Sequence, residues 1–484
     1  MAHSLRRAGK EPEGSFVHAF SGTKFTIYSN KDGLWQRMER AGDVSEYHVE
    51  YVVGSGNHAS GYLVRIGNQL FQSPICYYSR LNRYDMAPGY EEYRAPDFIR
   101  AVSEECLLCH SGKPLRIKGT LNQYPFPAFA QESISCDRCH GDPSNHLKAP
   151  LPGSIVNPAK LSLAARSSVC EQCHLKGVVR VLNPGKKFAD FHPGVPLEQV
   201  FTIYTASLPL DSPREGLKVI SHSEQLALSL CSRMSNGRLW CATCHNPHDQ
   251  AKQPPQYYRT RCMSCHAGKL AKAHPSGSKG DCISCHMARL DAKDGGHTVF
   301  TDHRISRNPQ SDHQSDVSES KDLVAWREPP PALRDRNLAL AYANAGLENE
   351  SMPQGLRGYR MLVEVLKQFP DDPDVLTSLG RILLMGRQSA QAAELFERVL
   401  QLGQNTAVNQ MYAGRADLQV GQTDNAINHL EQALRLDPLF LPAAESLMQV
   451  YRQRGDEDKM SALSDRVRRA LGDSAPHALA PVGR

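Results

Sequence analysis

Six copies of the pattern CxxCH constrain this chain more than any other feature of its sequence. All six lie between residues 101 and 303, where short polar segments punctuated by Gly and Pro leave few of the periodic apolar stretches that build an ordinary core. We therefore expect something other than side chains to fill the interior of this region.

The pattern is typical of c-type haem attachment. Two thioether bonds from the cysteines hold the macrocycle, and the histidine after the second cysteine binds the iron. Six covalent haem c groups, closely packed on one another, would then form the interior. The predicted attachment cysteines are Cys106, Cys109, Cys136, Cys139, Cys170, Cys173, Cys241, Cys244, Cys262, Cys265, Cys282 and Cys285. The predicted proximal ligands are His110, His140, His174, His245, His266 and His286.

Paired cysteines have two other common uses. Four-thiolate zinc sites need no histidine directly after each pair, whereas all six pairs here carry one. A thioredoxin-like redox pair occurs once, in a βαβ context that is missing here. Haem c is therefore the favoured cofactor. The remaining Cys76 and Cys231 are interpreted as packed, inert thiols, and a disulfide between them stays open.

The sixth coordination position of each iron decides function, because a second strong ligand makes an electron carrier and an open position makes a catalyst. Of the 20 histidines, 14 lie outside the motifs. His248 is too close to His245 to bind the opposite face of the same iron, so we expect it at a neighbouring haem. The candidate distal ligands are His58, His146, His222, His248, His297 and His303, with His18 a weaker one. His3, His313, His429 and His477 are predicted to be surface residues, while His48, His192 and His274 stay undecided.

Composition divides the chain into several segments and predicts a multidomain α+β fold. Residues 1–15 are expected to be a disordered tail, and residues 16–303 a multihaem cytochrome c domain with short helices and loops. Within it, residues 16–100 contain short β-branched and aromatic runs such as EYHVEYVV, which predict a small β-meander, and residues 101–303 hold the haem sites. Residues 304–330 are polar and end in prolines, as linkers between domains do, and residues 473–484 form a second tail.

Residues 331–472 are helical in pattern and repeat with a period of 34 to 35 residues. Gly386, Gly421 and Gly455 mark this period, and so do Leu366, Leu400 and Leu434. Such helix-turn-helix units resemble the tetratricopeptide repeat (TPR), and we expect about four of them in a solenoid, the outer two acting as caps. The alternative is an ordinary helical bundle.

Charge and hydropathy exclude two classes of partner. The net charge of +5 is small for 484 residues and is not gathered in a stripe, so nucleic acid is not an expected partner. No apolar run approaches the roughly 18 residues of a membrane span. The first residues, MAHSLRRAGKEPEGSF, lack the apolar segment of a secretory signal.

Several segments resemble multihaem c-type cytochromes related to cytochrome c554 that carry C-terminal tetratricopeptide repeats. These segments are VVGSGNHASGYL, MAPGYE, CDRCHGDPSNH, IVNPAKL, CEQCHL, SHSEQLALSLCSRMSNGRLWCATCHNPH, CISCHM and TDHRI. The resemblance implies bis-histidine haems, with the six distal candidates as ligands, and a periplasmic or extracytoplasmic location in bacteria. Members of the family usually carry one more CxxCH upstream; a truncated N-terminus would explain both this difference and the missing signal.

Three functions compete at this stage. The first is an electron carrier between redox proteins, one of which docks on the helical repeats. The second is an oxidoreductase in which one haem keeps an open face toward a small nitrogen or sulfur compound. The third is an assembly scaffold built on the repeats, with haems as structural fill or redox sensor. Bis-histidine ligation favours the carrier and low reduction potentials.

Overall fold

An antiparallel sheet forms the N-terminal part of the chain in the computed structural model, which describes residues 3–206, 218–249, 251–267, 281–307 and 322–471. Its strands are β1 Leu5–Arg7, β2 Gly14–Val17, β3 Lys24–Asn30, β4 Gly33–Arg40, β5 Asp43–Val53, β6 Ala59–Ile66, β7 Gln69–Tyr78, β8 Arg83–Met86 and β9 Arg100–Ala101. Strands β2 to β8 are neighbours in chain order, while β1 pairs with β5 and β9 with β7. The sheet is therefore a meander with two added edge pieces.

Alternating burial explains why these segments are strands. Phe25 and Ile27 in β3 are buried while the residues between and after them are more exposed, which is the period of a half-buried strand. The expectation of a disordered tail over residues 1–15 is wrong for β1, because Leu5 pairs with Val53 and is fully buried. The prediction failed because this pairing depends on a distant strand.

The middle of the chain consists of short helices and small sheets. The helices are α1 Glu104–His110, α2 Asp137–His140, α3 Ser144–Lys148, α4 Leu163–His174, α5 His222–Leu228, α6 Leu230–Arg233, α7 Cys241–Cys244, α8 Pro254–His266 and α9 Cys282–His286. The strands are β10 Lys113–Pro114, β11 Phe129–Gln131, β12 Val179–Leu182, β13 Phe201–Ala206, β14 Arg289–Asp291, β15 Val299–Thr301 and β16 Leu323–Ala325. Strands β12, β13 and β16 form a three-stranded sheet. Among the described residues from 218 to 307, Ala292 is the one apolar side chain that is buried.

Eight helices make up the C-terminal region, in four consecutive helix pairs. They are α10 Arg334–Glu348 with α11 Met352–Gln368, α12 Pro373–Met385 with α13 Ser389–Gln401, α14 Ala407–Gln419 with α15 Thr423–Leu436, and α16 Leu441–Arg454 with α17 Glu457–Leu471. Asp372 caps α12 by accepting hydrogen bonds from the backbone of Asp374 and Val375. This arrangement is compatible with a tetratricopeptide-like solenoid.

The helical region packs on the N-terminal sheet and on the three-stranded sheet. Fully buried Arg336 of α10 donates to the Leu182 carbonyl at the end of β12 (2.7 Å). Asp437, in the turn after α15, accepts a hydrogen bond from Gln69 at the start of β7 (2.6 Å). The helices are thus held at two points against the rest of the chain.

The predicted linker at residues 304–330 is partly structured. Strand β16, Leu323–Ala325, pairs with β13, so the linker prediction is wrong for this part. Trp326 then donates to Glu171 of α4 (3.0 Å), and Arg327 forms an ion pair with the same carboxylate. Residues 308–321 lie outside the described part of the chain.

The described part of the chain mixes α and β structure, with a sheet at its start and only helices from Arg334 to Leu471. None of the helices in the described ranges combines the length and apolar character that crossing a bilayer requires.

Candidate functional site

All six CxxCH segments lie at or in helices: α1, α2, α4, α7, α8 and α9. On a helix, residues three apart share a face, so the two cysteines of one motif are directed to the same side. The motif histidine is the last helical residue in five of the six, and His245 directly follows α7. Helical geometry therefore gives each motif two thiols and one imidazole at one helix end.

Thiols of different motifs touch one another. All 14 cysteines are free thiols, including Cys76 in the sheet core and Cys231, so these two form no disulfide. Contacts join Cys109 with Cys173, Cys170 with Cys241, and Cys262 with Cys282. The first, third and fourth motifs consequently adjoin in one row, and the fifth adjoins the sixth.

Four histidines from the third and fourth motifs and from two distant segments form a cluster. The ring centroids of His174 and His222 are 5.2 Å apart, those of His222 and His303 4.9 Å, and those of His245 and His303 6.1 Å. Burial and the neighbouring histidines lower the pKa of His222 to about 3. Burial also lowers the pKa of His303 and His245, so these rings are neutral at pH 7, the form that binds metals.

The turn after β15 positions His303 in this cluster. The backbone N–H of His303 donates to the Gln225 side chain of α5 (2.9 Å), and Gln225 in turn donates to Ser221 beside His222 (2.6 Å). Asp302 is 2% exposed, and both of its carboxylate oxygens accept hydrogen bonds from Nε of Arg304. The segment TDHRI thereby fixes its histidine against the segment SHSEQ.

A second pair brings the second and fourth motif segments together. The rings of His140 and His248 have centroids 5.9 Å apart and planes within 15° of parallel. His248 is presented by an Asx turn, in which the Asn246 side chain accepts its backbone N–H (3.1 Å). The neighbour of His248 is therefore a histidine of another motif than its own.

Several of these rings are held by one nitrogen, which fixes the role of the other. Nδ1 of His140 donates to the backbone carbonyl of Val156 (2.8 Å). In the same way, Nδ1 of His286 donates to Ser306 (2.6 Å) and Nδ1 of His303 to Thr301 (2.9 Å). A carbonyl can only accept, so Nδ1 carries the proton and Nε2 presents its lone pair. His146 is bound likewise, through Nδ1 to the Ser154 hydroxyl, which itself donates to Leu151.

The other distal candidates have different neighbours. His58 stacks on Phe300, with centroids 4.6 Å apart, and Phe300 also contacts His222. His297 is paired through Nε2 with Asp85 at 3.1 Å, so its usual ligating nitrogen is engaged. His18 is buried in the N-terminal part, and hydrogen bonds occupy both of its nitrogens.

Sequence analysis missed the groups that orient the rings. The carbonyls of Val156, Thr301 and Ser306 carry no side-chain signal, although each stands in a segment that the family resemblance singled out or next to one. Phe300 could have been noticed as an aromatic residue directly before TDHRI. Of the undecided histidines, His48 bonds to the Asp32 carbonyl (3.1 Å), His192 is exposed and His274 lies outside the described residues. His313 and His477, which were predicted to be surface residues, also lie outside them.

The residues present fit haem c. Two imidazoles on opposite sides of one metal, each with a bond of about 2 Å, place their ring centroids about 6 Å apart, which matches the 5.9 Å of His140 and His248. The scarcity of buried apolar side chains among the described residues from 218 to 307 also suits a region that packs on macrocycles. The zinc alternative fits less well, because within the described ranges no motif contributes to a set of three ligand atoms within 4.8 Å of one another.

Comparisons with known proteins give little. No family model matches the chain, and no curated protein matches it. Solved structures with similarity include MamA MSR-1, 21% identical over 30% of this chain and 82% of that chain, with a TM-score of 0.27. MamA AMB-1 is 23% identical over 32% of this chain and 82% of that chain, with a TM-score of 0.26. Similarity at this level carries no argument about function.

Proposed function

We propose that this protein is a multihaem c-type cytochrome of the kind related to cytochrome c554, carrying electrons between redox proteins. When bound, haem c supplies an iron that changes between its ferric and ferrous states. The twelve motif cysteines would hold six such groups, and the six motif histidines would be the proximal ligands. The haem-packed interior belongs to the same proposal.

One observation carries the proposal: His248 faces His140 at the separation that spans one metal ion. In addition, Nδ1 of His140 donates to the Val156 carbonyl, which leaves Nε2 as the acceptor. This second bond is the usual partner of a metal-binding histidine, because it fixes the tautomer and the orientation of the ring. His248 is accordingly the distal ligand proposed for the second motif.

The histidine cluster supports two more bis-histidine sites. His245 has His303 at 6.1 Å, and His174 has His222 at 5.2 Å. Neutral imidazoles paired in this way would bind an iron from both sides, and bis-histidine ligation gives low-potential haems without an open position. His58, His146 and His297 remain the distal candidates for the other motifs.

Contacts between motifs support transfer from one haem to the next. Cys109 touches Cys173 and Cys170 touches Cys241, so the attachment points of three motifs lie side by side. Electrons entering at the first motif would reach the fourth without leaving the protein.

The helical repeats would dock a redox protein. Met352 and Leu356, one turn apart on α11, are exposed apolar side chains, and Met385 at the end of α12 is a third. Exposed apolar groups of this kind are common at sites of protein association. The extracytoplasmic location is proposed with the haems, because their attachment takes place outside the bacterial cytoplasm.

A second function is favoured by His297, whose Nε2 pairs with Asp85 and not with a motif histidine. If that pairing persists in the loaded protein, one iron keeps an open face, and the protein is an oxidoreductase acting on a small nitrogen or sulfur compound.

The two functions separate in one experiment on the haem-loaded chain. Electron paramagnetic resonance of the oxidised protein reports low-spin and high-spin iron, and carbon monoxide binds the reduced protein only at an open position. If the protein is an electron carrier, only low-spin iron signals are expected, and carbon monoxide should not change the spectrum of the reduced protein. A high-spin signal together with carbon monoxide binding at one haem would establish the oxidoreductase and exclude the carrier with six closed haems.

A further inference from the structure

Three side chains of metal-binding type meet in the helical region, away from every CxxCH motif. Glu397 comes from α13, Asp417 from α14 and His429 from α15. One ligand atom from each lies within 4.8 Å of the other two, and no other such group exists in the described part of the chain. The sequence analysis placed His429 on the surface, which is wrong, because its side chain is only 19% exposed.

The distances within this triad suit a small cation. Nε2 of His429 is 2.8 Å from a Glu397 oxygen and 3.6 Å from an Asp417 oxygen. Ligand bonds of about 2.0–2.2 Å around a zinc ion separate neighbouring donors by roughly 3–3.5 Å. The three atoms are thus already near the spacing that coordination requires.

Gln410 fixes the tautomer of His429. The Gln410 amide nitrogen donates to the Asn405 side chain (3.0 Å), so its oxygen is the atom that faces Nδ1 of His429 (2.7 Å). Nδ1 must therefore carry the proton. Nε2, which points at the two carboxylates, either carries a second proton as an imidazolium or binds a metal ion.

The charge of the triad favours a cation with more than one positive charge. The Asp417 side chain is 6% exposed, and its one polar contact in the described part of the chain is His429 at 3.6 Å. Nearby arginines have other partners, since Arg398 binds Asp371 and Arg415 binds Ser446. With both carboxylates ionised, the triad holds two negative charges, one of them on a buried side chain, and a divalent cation would neutralise both.

We propose that Glu397, Asp417 and His429 bind one divalent transition-metal ion, with zinc(II) as the preferred ion. A mixed set of one imidazole and two carboxylates suits zinc and its neighbours, whereas magnesium and calcium take oxygen ligands throughout. Glu397 is about half exposed and gives the ion a route of entry. Because Glu397 belongs to one helix pair and the other two ligands to the next, the ion would tie successive pairs together.

The test compares the full haem-loaded chain with two variants, His429→Gln and Asp417→Asn, after removal of metal by a chelator. Zinc chloride is then added, and bound zinc is counted by equilibrium dialysis while thermal unfolding is recorded. Asp424→Asn is the matched control, because Asp424 is an exposed carboxylate on the same helix as His429 and is paired with Arg454. Far-ultraviolet circular dichroism establishes that each metal-free variant is folded.

We expect the wild type and the control to bind one more zinc ion per chain than either variant, with an increase in Tm of several degrees that the variants lack. Magnesium should have no such effect. Zinc held by unoccupied motif thiols would be the same in all four proteins, so the comparison does not depend on the haem assignment. Equal zinc counts in wild type and both variants would overturn the proposal and leave the three side chains as a polar contact without a metal ion.

Discussion

His248 lies against His140 of the second CxxCH motif, although it follows His245 of the fourth motif by three residues. This relationship links two segments that are far apart in the sequence through one site. The proposal that His248 is a distal ligand rests on this relationship and can be tested by changing that residue alone.

His248→Met should raise the reduction potential of one haem in six. A thioether ligand stabilises ferrous iron relative to an imidazole, which raises the potential of histidine–methionine haems. A potentiometric titration of the loaded protein should show one component moved to higher potential with the haem count unchanged. His192→Met, at an exposed histidine, is the control and should leave the titration as it is. Identical curves for the two variants would contradict the assignment of His248.

Arg336 should contribute strongly to stability through its buried pair with Asp372. Its guanidinium is fully buried and binds both carboxylate oxygens, at 2.7 and 3.1 Å. Arg336→Met leaves Asp372 without its partner, so the free energy of unfolding should fall by about 3–5 kcal/mol in urea denaturation. Arg334→Met removes the exposed pair with Glu328 and should cost less than about 1 kcal/mol. Similar losses in both variants would show that burial of the pair does not matter.

Two glycines of α11 should respond oppositely to alanine. A Cβ on Gly358 would overlap the backbone of Ala343 in α10, whereas a Cβ on Gly355 would meet no atom within 4 Å. Gly358→Ala should therefore lower stability by about 1–3 kcal/mol by forcing the helices apart. Gly355→Ala should raise it by up to about 1 kcal/mol through helix propensity. The measurement is the Tm of each variant in thermal unfolding. A higher Tm for Gly358→Ala than for wild type would contradict the close contact between the two helices.

Asp437 should make stability depend on pH. Burial raises the pKa of this carboxyl, although Gln123 and Gln69 donate to it. A carboxyl with a raised pKa in the folded state is ionised more readily when unfolded, so its contribution to stability falls as pH rises above about 4. The Tm of Asp437→Asn relative to wild type should therefore be higher at pH 7.5 than at pH 4.5. A difference in Tm that is the same at both pH values would contradict this.

The sequence predicted the features that depend on local patterns. The spacing of Gly386, Gly421 and Gly455 indicated helix pairs, and the structure has a turn or helix end at each of these positions. The six motifs likewise stand on helix ends that bring thiols and imidazole together.

The features that could not be predicted from the sequence depend on contacts between distant segments. Strand β1 pairs with the distant strand β5, and β16, which pairs with β13, lies in a polar stretch whose composition is typical of linkers. His429 looks like a surface residue on its own helix, whereas its contacts with Glu397 and Asp417 come from two other helices. Which distal histidine meets which motif depends in the same way on how the turns around His248 and His303 fold back.

The covalent haem count tests the central claim most directly. The chain would be exported to a periplasm equipped for haem attachment, purified, and measured by pyridine haemochrome absorbance, with titration of thiols after denaturation. The account predicts about six haems per chain and two titratable thiols, Cys76 and Cys231, because the other 12 of the 14 cysteines would be thioethers. No covalent haem and fourteen titratable thiols would contradict it and return zinc to consideration.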